Sequence, residues 1–331
     1  ISSEHIYHYA SVLTESGKYQ MAKEWYFKYL EIEPSDSRAK AALESLHHYE
    51  QLISNQYLVK QLAINLSGDV FSPTPYRNGL VVVGAGNTGG IAKKVATWDE
   101  DPYFDLYYVP ISNGKPGSPR YLDNKLNSVY HEGPVTFFDH GKKVILTRSA
   151  SRKGADDRRN LQLMISELKP SGKWSAPRKL FADPNYSNGH PAVDRQGKVV
   201  YFSSDKPGGY GGSDLYRSEY IDGSWTEPVN LGPDVNTEGN ELFPNIDSEG
   251  DLYYSTDGRG GLGGLDIFKI DRETYSAVNL GYPINSPSDD FGIVWQKELQ
   301  QGYFSSNRNG SDQVFSFRKI PHLAKVTVPD N

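Results

Sequence analysis

No cysteine occurs anywhere in the sequence. Disulfides, zinc–thiolate sites and thiol nucleophiles are therefore excluded. No apolar run approaches the length of about 18 residues that marks a membrane-spanning helix. No block of like charge stands out either, and the formal net charge is -6. Nucleic acid and anionic membrane, which ask for a basic footprint, are excluded as main partners. Glycine and proline are nearly missing from residues 1–56, where only Gly17 and Pro34 occur. Methionine numbers only 2, against 23 tyrosines and 32 glycines. Tyrosine suits half-buried strands and glycine supplies turns with positive φ, so most of the chain reads as β-structure. The first residue is Ile1, which reads as a processed chain or a piece of a longer protein.

What is present is a repeated phrase. Phe202-Ser203-Ser204-Asp205 leads through glycines to Ser213-Asp214-Leu215-Tyr216. Tyr254-Ser255-Thr256-Asp257 leads to Leu265-Asp266-Ile267-Phe268, and Phe304-Ser305-Ser306-Asn307 to Ser311-Asp312-Gln313-Val314. Pro73, Pro134, Pro191 and Pro244 open successive copies at spacings of 61, 57 and 53 residues, and Asp290-Phe291-Gly292 opens a fifth. Each copy carries four strand signals, the content of one β-propeller blade. The expected fold is a mainly β, five-bladed propeller over residues 57–331, with six blades as the alternative count, behind a short all-α segment over 1–56. The last copy lacks a closing strand. Residues 61–66 resemble one and are expected to supply it, with 322–328 as the competing donor.

In the helical region, Ala10, Ala22, Tyr26 and Pro34 fall at the spacings of a tetratricopeptide repeat, with Gly17-Lys18-Tyr19 at its turn. Tyr29 stands where that family prefers alanine, which would reshape the helix contact. Ser35 and Asp36 are suited to cap the third helix. The phrases at 202–216 and 254–268, with Asn230-Leu231-Gly232 and Glu241-Leu242-Phe243-Pro244, resemble TolB-type WD-like propeller repeats. The helical-plus-propeller order is similar to the PorE-like, OmpA-family envelope proteins of the Bacteroidota type IX secretion and gliding machinery. That resemblance implies a periplasmic scaffold, associated with the outer membrane or cell wall, whose partners are envelope or secretion-system proteins. In such proteins peptidoglycan is held by downstream domains that this sequence does not contain.

Several candidate sites were weighed against plainer roles. Gly84, Gly86 and Gly89 spell a dinucleotide fingerprint after an apolar strand, but the loop matches other blades' glycine loops. Asp205, Asp257 and Asn307 recur by repeat, as do Asp214, Asp266 and Asp312, so each reads as a turn-holding side chain rather than a calcium ligand. Glu132, His190, Glu241 and Asp290 open successive blades and are expected to line a central funnel. As they are repeat-equivalent, no catalytic pair is assigned and no enzymatic activity is expected. A carbohydrate-binding or glycoside-cleaving propeller is the alternative. His5 and His8, and the His47-His48 pair, lie on expected helices and are not read as metal ligands, so neither metal nor cofactor is assigned. Arg152, Lys206, Arg259 and Arg308 fall in the glycine loops of successive blades. They are expected to form a basic arc that docks an acidic partner.

Overall fold

A computed structural model describes residues 2–47, 52, 56–85, 103–151, 159–181, 185–271 and 273–320. Three helices come first: α1 (Ser3–Glu15), α2 (Tyr19–Ile32) and α3 (Ser37–His47). Gly17, with φ of 67°, supplies the left-handed residue that reverses the chain between α1 and α2. The helices share one core, in which Ala10, Ala22 and Ala39 are fully buried and let the backbones approach Leu13, Tyr26, Leu43 and Leu46. Tyr29 reshapes this contact in a specific way. Its hydroxyl donates to Asp36 at 2.7 Å and its ring tilts on Tyr7. Asp36 in turn accepts the Arg38 and Ala39 amides at the start of α3. Burial opposes its charge, but the hydrogen bonds from Arg38 and Tyr29 prevail and hold the carboxyl down at about 2.

The rest of the described chain folds into five antiparallel sheets arranged as blades. Blade 1 comprises β2 (Val70–Tyr76), β3 (Gly79–Ala85), β4 (Phe104–Ser112), β5 (Lys115–Pro116) and β6 (Arg120–Tyr121). Blade 2 comprises β7 (Glu132–Phe138), β8 (Lys143–Ser149), β9 (Leu161–Glu167) and β10 (Arg178–Lys179). Blade 3 comprises β11 (Asn188–Val193), β12 (Val199–Ser204), β13 (Asp214–Ile221), β14 (Ser224–Trp225) and β15 (Val229–Asn230). Blade 4 comprises β16 (Glu241–Ile246), β17 (Leu252–Thr256), β18 (Asp266–Ile270) and β19 (Ala277–Asn279). Blade 5 takes β20 (Asp290–Gln296), β21 (Gln301–Ser306) and β22 (Gln313–Lys319) from the end of the chain and β1 (Tyr57–Gln61) from before blade 1. Cores form between neighbouring blades, as where Tyr76, Leu106, Val135 and Leu146 meet.

The closing strand is therefore upstream of the expected 61–66. β1 pairs with β22 from Tyr57 opposite Lys319 to Gln61 opposite Phe315. The Leu62 amide adds one more bond to the Val314 carbonyl at 2.8 Å. Beyond it the chain turns, with the Ile64 and Leu66 amides bonded two residues back. These tight turns end the strand that the apolar alternation of 61–66 suggested. Residues 322–328 lie outside the described residues.

The helices rest on blade 4. A Cβ on Gly260 would collide with the Ala41 carbonyl and one on Gly281 with the Leu52 carbonyl, so bare backbone meets backbone at both places. The Tyr282 amide donates to that Leu52 carbonyl at 2.7 Å.

A chain beginning at Leu62 would leave the β22 edge unpaired, and an open edge templates pairing with other chains. It is expected to form soluble aggregates or precipitate, read by size-exclusion chromatography with light scattering. A monomer that still melts cooperatively at the full chain's Tm would refute the closure.

Candidate functional site: the axial cavity

All five innermost strands share one irregularity. Register slips between Phe71 and Thr74, Glu132 and Val135, Gly189 and Ala192, Leu242 and Asn245, and Phe291 and Val294. Each slip is a β-bulge, which re-aims side chains at the rim of a barrel or channel. Ser72, His190 and Phe243 take φ near 50° there, and the next residue is proline in each case. Proline lacks an amide hydrogen, so the bulge leaves no orphan donor on the axis. The bulge amides find side chains: Ser72 donates to Ser305 Oγ at 2.8 Å and His190 to Thr147 Oγ1 at 3.0 Å.

Below the bulges lies an axial cavity of about 190 Å³. Its wall includes Pro73, Pro134, Pro191 and Pro244, and it runs to Asp247 and Ser248 at the turn after β16. His190 lies in this wall as expected, with its ring stacked on Phe243 at 3.9 Å and 8°. Nδ1 accepts the Phe243 amide at 3.4 Å, which leaves the proton on Nε2. Burial lowers the imidazole from 6.5 to about 4, so the ring is neutral at pH 7. Asp247 also lines the cavity, but it is engaged. It pairs with Lys297 at 2.9 Å and accepts the Glu249 and Asp251 amides. Lys297 also reaches Glu249 and Asp251, tying blade 5 to blade 4.

Glu132, Glu241 and Asp290 do not line the cavity. All three carboxylates are buried on the other side of the bulge. Each accepts from a serine or threonine four residues earlier. Ser128 donates its amide and hydroxyl to Glu132, Thr237 to Glu241 and Ser286 to Asp290. Burial raises all three carboxyls above the usual range. They hold the connection between blades, a role in keeping with their recurrence.

The basic arc is corrected as well. Arg308 turns inward, donating to the Pro283 and Ile284 carbonyls and to Asp290. Arg259 donates to the Tyr254 hydroxyl and to the Asp234 carbonyl. Lys206 lies over the Tyr186 ring, and Arg152 is outside the described residues. In blade 2 the same part is played from a different position, that of Ser306, by Arg148, which pairs with Glu132 at 2.8 Å and donates to the Leu126 carbonyl. A guanidinium at the end of a blade's second strand is placed to satisfy carbonyls of the incoming connection, so these arginines seal the ring.

A second motif escaped the sequence reading. Asn127, Asn236 and Asn285 each accept an amide and donate to the carbonyl of one third-strand residue: Leu106, Leu215 and Ile267. An aliphatic residue precedes each asparagine, Ser or Thr follows it, and the buried acid stands four beyond that. The signal was legible as Leu126-Asn127-Ser128, Val235-Asn236-Thr237 and Ile284-Asn285-Ser286. The turn-holding role is seen in Asp214, which accepts the Tyr210 and Gly211 amides, and in Asp266, which accepts those of Leu262 and Gly263. Among the described residues no group of acids and histidines could hold a metal. Gly84 and Ala85 end β3, which pairs antiparallel with β4, whereas a dinucleotide fold continues into a parallel strand. Residues 86–89 are outside the described residues.

No protein-family model matches this chain, and no curated protein does. Solved structures do. A puromycin-hydrolysing peptidase of Mycobacterium tuberculosis matches at 16% identity and TM-score 0.42, over 74% of this chain and 35% of the peptidase. This chain thus spans about a third of that enzyme. A structure assigned to TolB from Agrobacterium tumefaciens matches at 13% identity and TM-score 0.46, over 77% and 79% of the two chains. A gluconolactonase from Xanthomonas campestris matches at 12% and 0.45, over 80% and 91%. At such identities the likeness concerns the propeller fold alone. It does correct one expectation: structures similar to this one include enzymes, so the expected absence of enzymatic activity is withdrawn.

Two outcomes follow from the geometry. Arg308→Met breaks a pair whose carboxylate is fully buried, so it is expected to cost about 3–5 kcal/mol in urea unfolding. Lys206→Met should change stability by no more than about 1 kcal/mol. Equal small effects would restore Arg308 to the surface. For His190 the folded pKa lies below the unfolded one. The unfolded chain therefore binds the proton first, and stability is lost as pH falls from 6.5 towards about 4. His190→Gln should flatten the urea midpoint across that window relative to the parent, and an unchanged slope would contradict the neutral imidazole.

Proposed function

We propose that the chain is a partner-binding module of a cell-envelope assembly, a rigid propeller carrying a tetratricopeptide-like helical segment over 1–56. The observation that carries this reading is the number of large apolar side chains that the helices leave exposed. Tyr9, Val12, Met21, Phe27 and Ile32 are 43–53% exposed there. Large apolar side chains gathered on a short helical unit mark a contact surface more than solvent does. Helical repeats of this kind bury their faces only against further repeats or a partner. Tyr9 and Trp25 already stack edge to face at 4.6 Å across α1 and α2, which gives that surface a fixed shape. The resemblance to OmpA-family envelope proteins supports a periplasmic location beside the outer membrane or cell wall. Type IX secretion or gliding proteins are the proposed partners.

The test is recovery of envelope proteins by the full chain against a Val12→Glu/Met21→Glu variant, with helicity checked by circular dichroism. Both positions are exposed, so the fold should survive. Recovery of secretion-system components should fall by at least about tenfold, as expected when a central apolar contact is lost. Undiminished recovery by the folded variant would overturn the helical surface as the binding element.

A further inference from the structure

The seam where the ring closes carries a second opening. A groove of about 250 Å³ lies between blade 5 and blade 1, lined by Leu58, Lys60, Leu62, Ile111, Tyr303 and Arg318 among others. The ladder explains its chemistry. Lys60 and Tyr303 both pair with Ser316, while Leu58 pairs with Arg318. Directly paired residues and alternate residues of a strand share one face. These side chains therefore form one surface of blade 5, the surface that meets blade 1. Other seams are filled by aromatic rings. Tyr76 stacks on Phe137 at 4.1 Å between blades 1 and 2, and Trp295 packs on Phe317 at 4.8 Å on the blade 4 side of blade 5. The closing seam has Ile111 and the Gly114 turn opposite Leu58 instead, and it stays open.

Three polar groups face this apolar floor without a partner among the described residues. Lys60 and Arg318 are exposed and enter no ion pair, and no carboxylate is found in the described lining. Tyr303 is 8% exposed and packs in the core between blades 5 and 1, and its hydroxyl has no hydrogen-bond partner among the described residues. Burial raises its phenol, so it remains a donor at neutral pH. Two cations and one phenolic donor beside an apolar trough, on a chain of net charge -6, select a ligand of opposite sign with an apolar tail.

We propose that the closing seam binds an amphipathic anion, an acyl carboxylate of short to medium chain length. Its carboxylate would meet Lys60, Arg318 and the Tyr303 hydroxyl, with its tail between Leu58, Leu62 and Ile111. The size of the groove suits such a tail.

The experiment is calorimetric titration of the full chain with decanoate below its micelle concentration, with decanol as the uncharged comparator. Saturable decanoate binding is expected, with decanol at least about tenfold weaker, since the charged head contributes. Lys60→Glu/Arg318→Glu should weaken decanoate by about tenfold or more. Leu58→Ser/Ile111→Ser should weaken decanoate and decanol alike. All four positions are outside the fully buried core, and an unchanged Tm shows that each variant is folded. No saturable binding to the parent chain would overturn the proposal. So would equal affinity in the charge-reversed variant, or decanol binding as tightly as decanoate. A chain ending at Ile320 supplies the last arm: decanoate binding that appears only on removing residues 321–331 would show the chain's own end to be the occupant.

Discussion

The ring depends on a strand borrowed across almost the whole sequence. The amides and carbonyls of β22 would face solvent along one side if β1 did not pair with them, and the blade 5 sheet would end in an open edge. Closure also fixes the angular share of every other blade, because five sheets can meet around an axis only if the last meets the first. The bulges, the axial cavity and the seam groove are all set by that constraint. So is the placement of the helices, since the segment that leaves α3 must reach the outer edge of blade 5 before the first blade begins.

Within the ring, buried polar side chains carry much of the joining. The asparagine after each aliphatic residue occupies both hydrogen-bonding positions of a third-strand residue, where another strand would otherwise be needed. The acid four residues beyond its Ser or Thr neighbour holds that neighbour, and an arginine closes the set, from within the second strand in blade 2 and from the turn just after it in blade 5. Each group satisfies another that would be costly to bury alone. The burial that raises the carboxyls of Glu132, Glu241 and Asp290 is thus a sign of joinery between blades.

The five copies, and so the propeller, were legible because the same strand and turn phrases recur in the same order, at spacings that vary by only a few residues. The closing strand was legible as an upstream segment but misplaced by a few residues, because 61–66 alternates like a strand while its backbone makes tight turns. The direction of a side chain was not legible. Arg259 and Arg308 sit in glycine loops by sequence, yet a guanidinium is long enough to turn back under its own loop and find carbonyls. Arg148 was hidden because blade 2 lacks the full phrase, with Thr147-Arg148-Ser149 in its place. His190 lines the axial cavity because the bulge that aims it coincides with the proline that marks the repeat. The seam groove left no mark, being made from residues as far apart in the sequence as Leu58 and Arg318.

The contact between Gly260 and the Ala41 carbonyl has a consequence for how the two parts of the molecule can vary. Main chain touching main chain leaves no side chain to absorb an error, so the spacing is set to within the radius of one carbon atom. A single methyl group at position 260 would act as a wedge between the helix that carries Ala41 and blade 4. The glycine thus serves as a gauge of how closely the helical segment can seat on the ring.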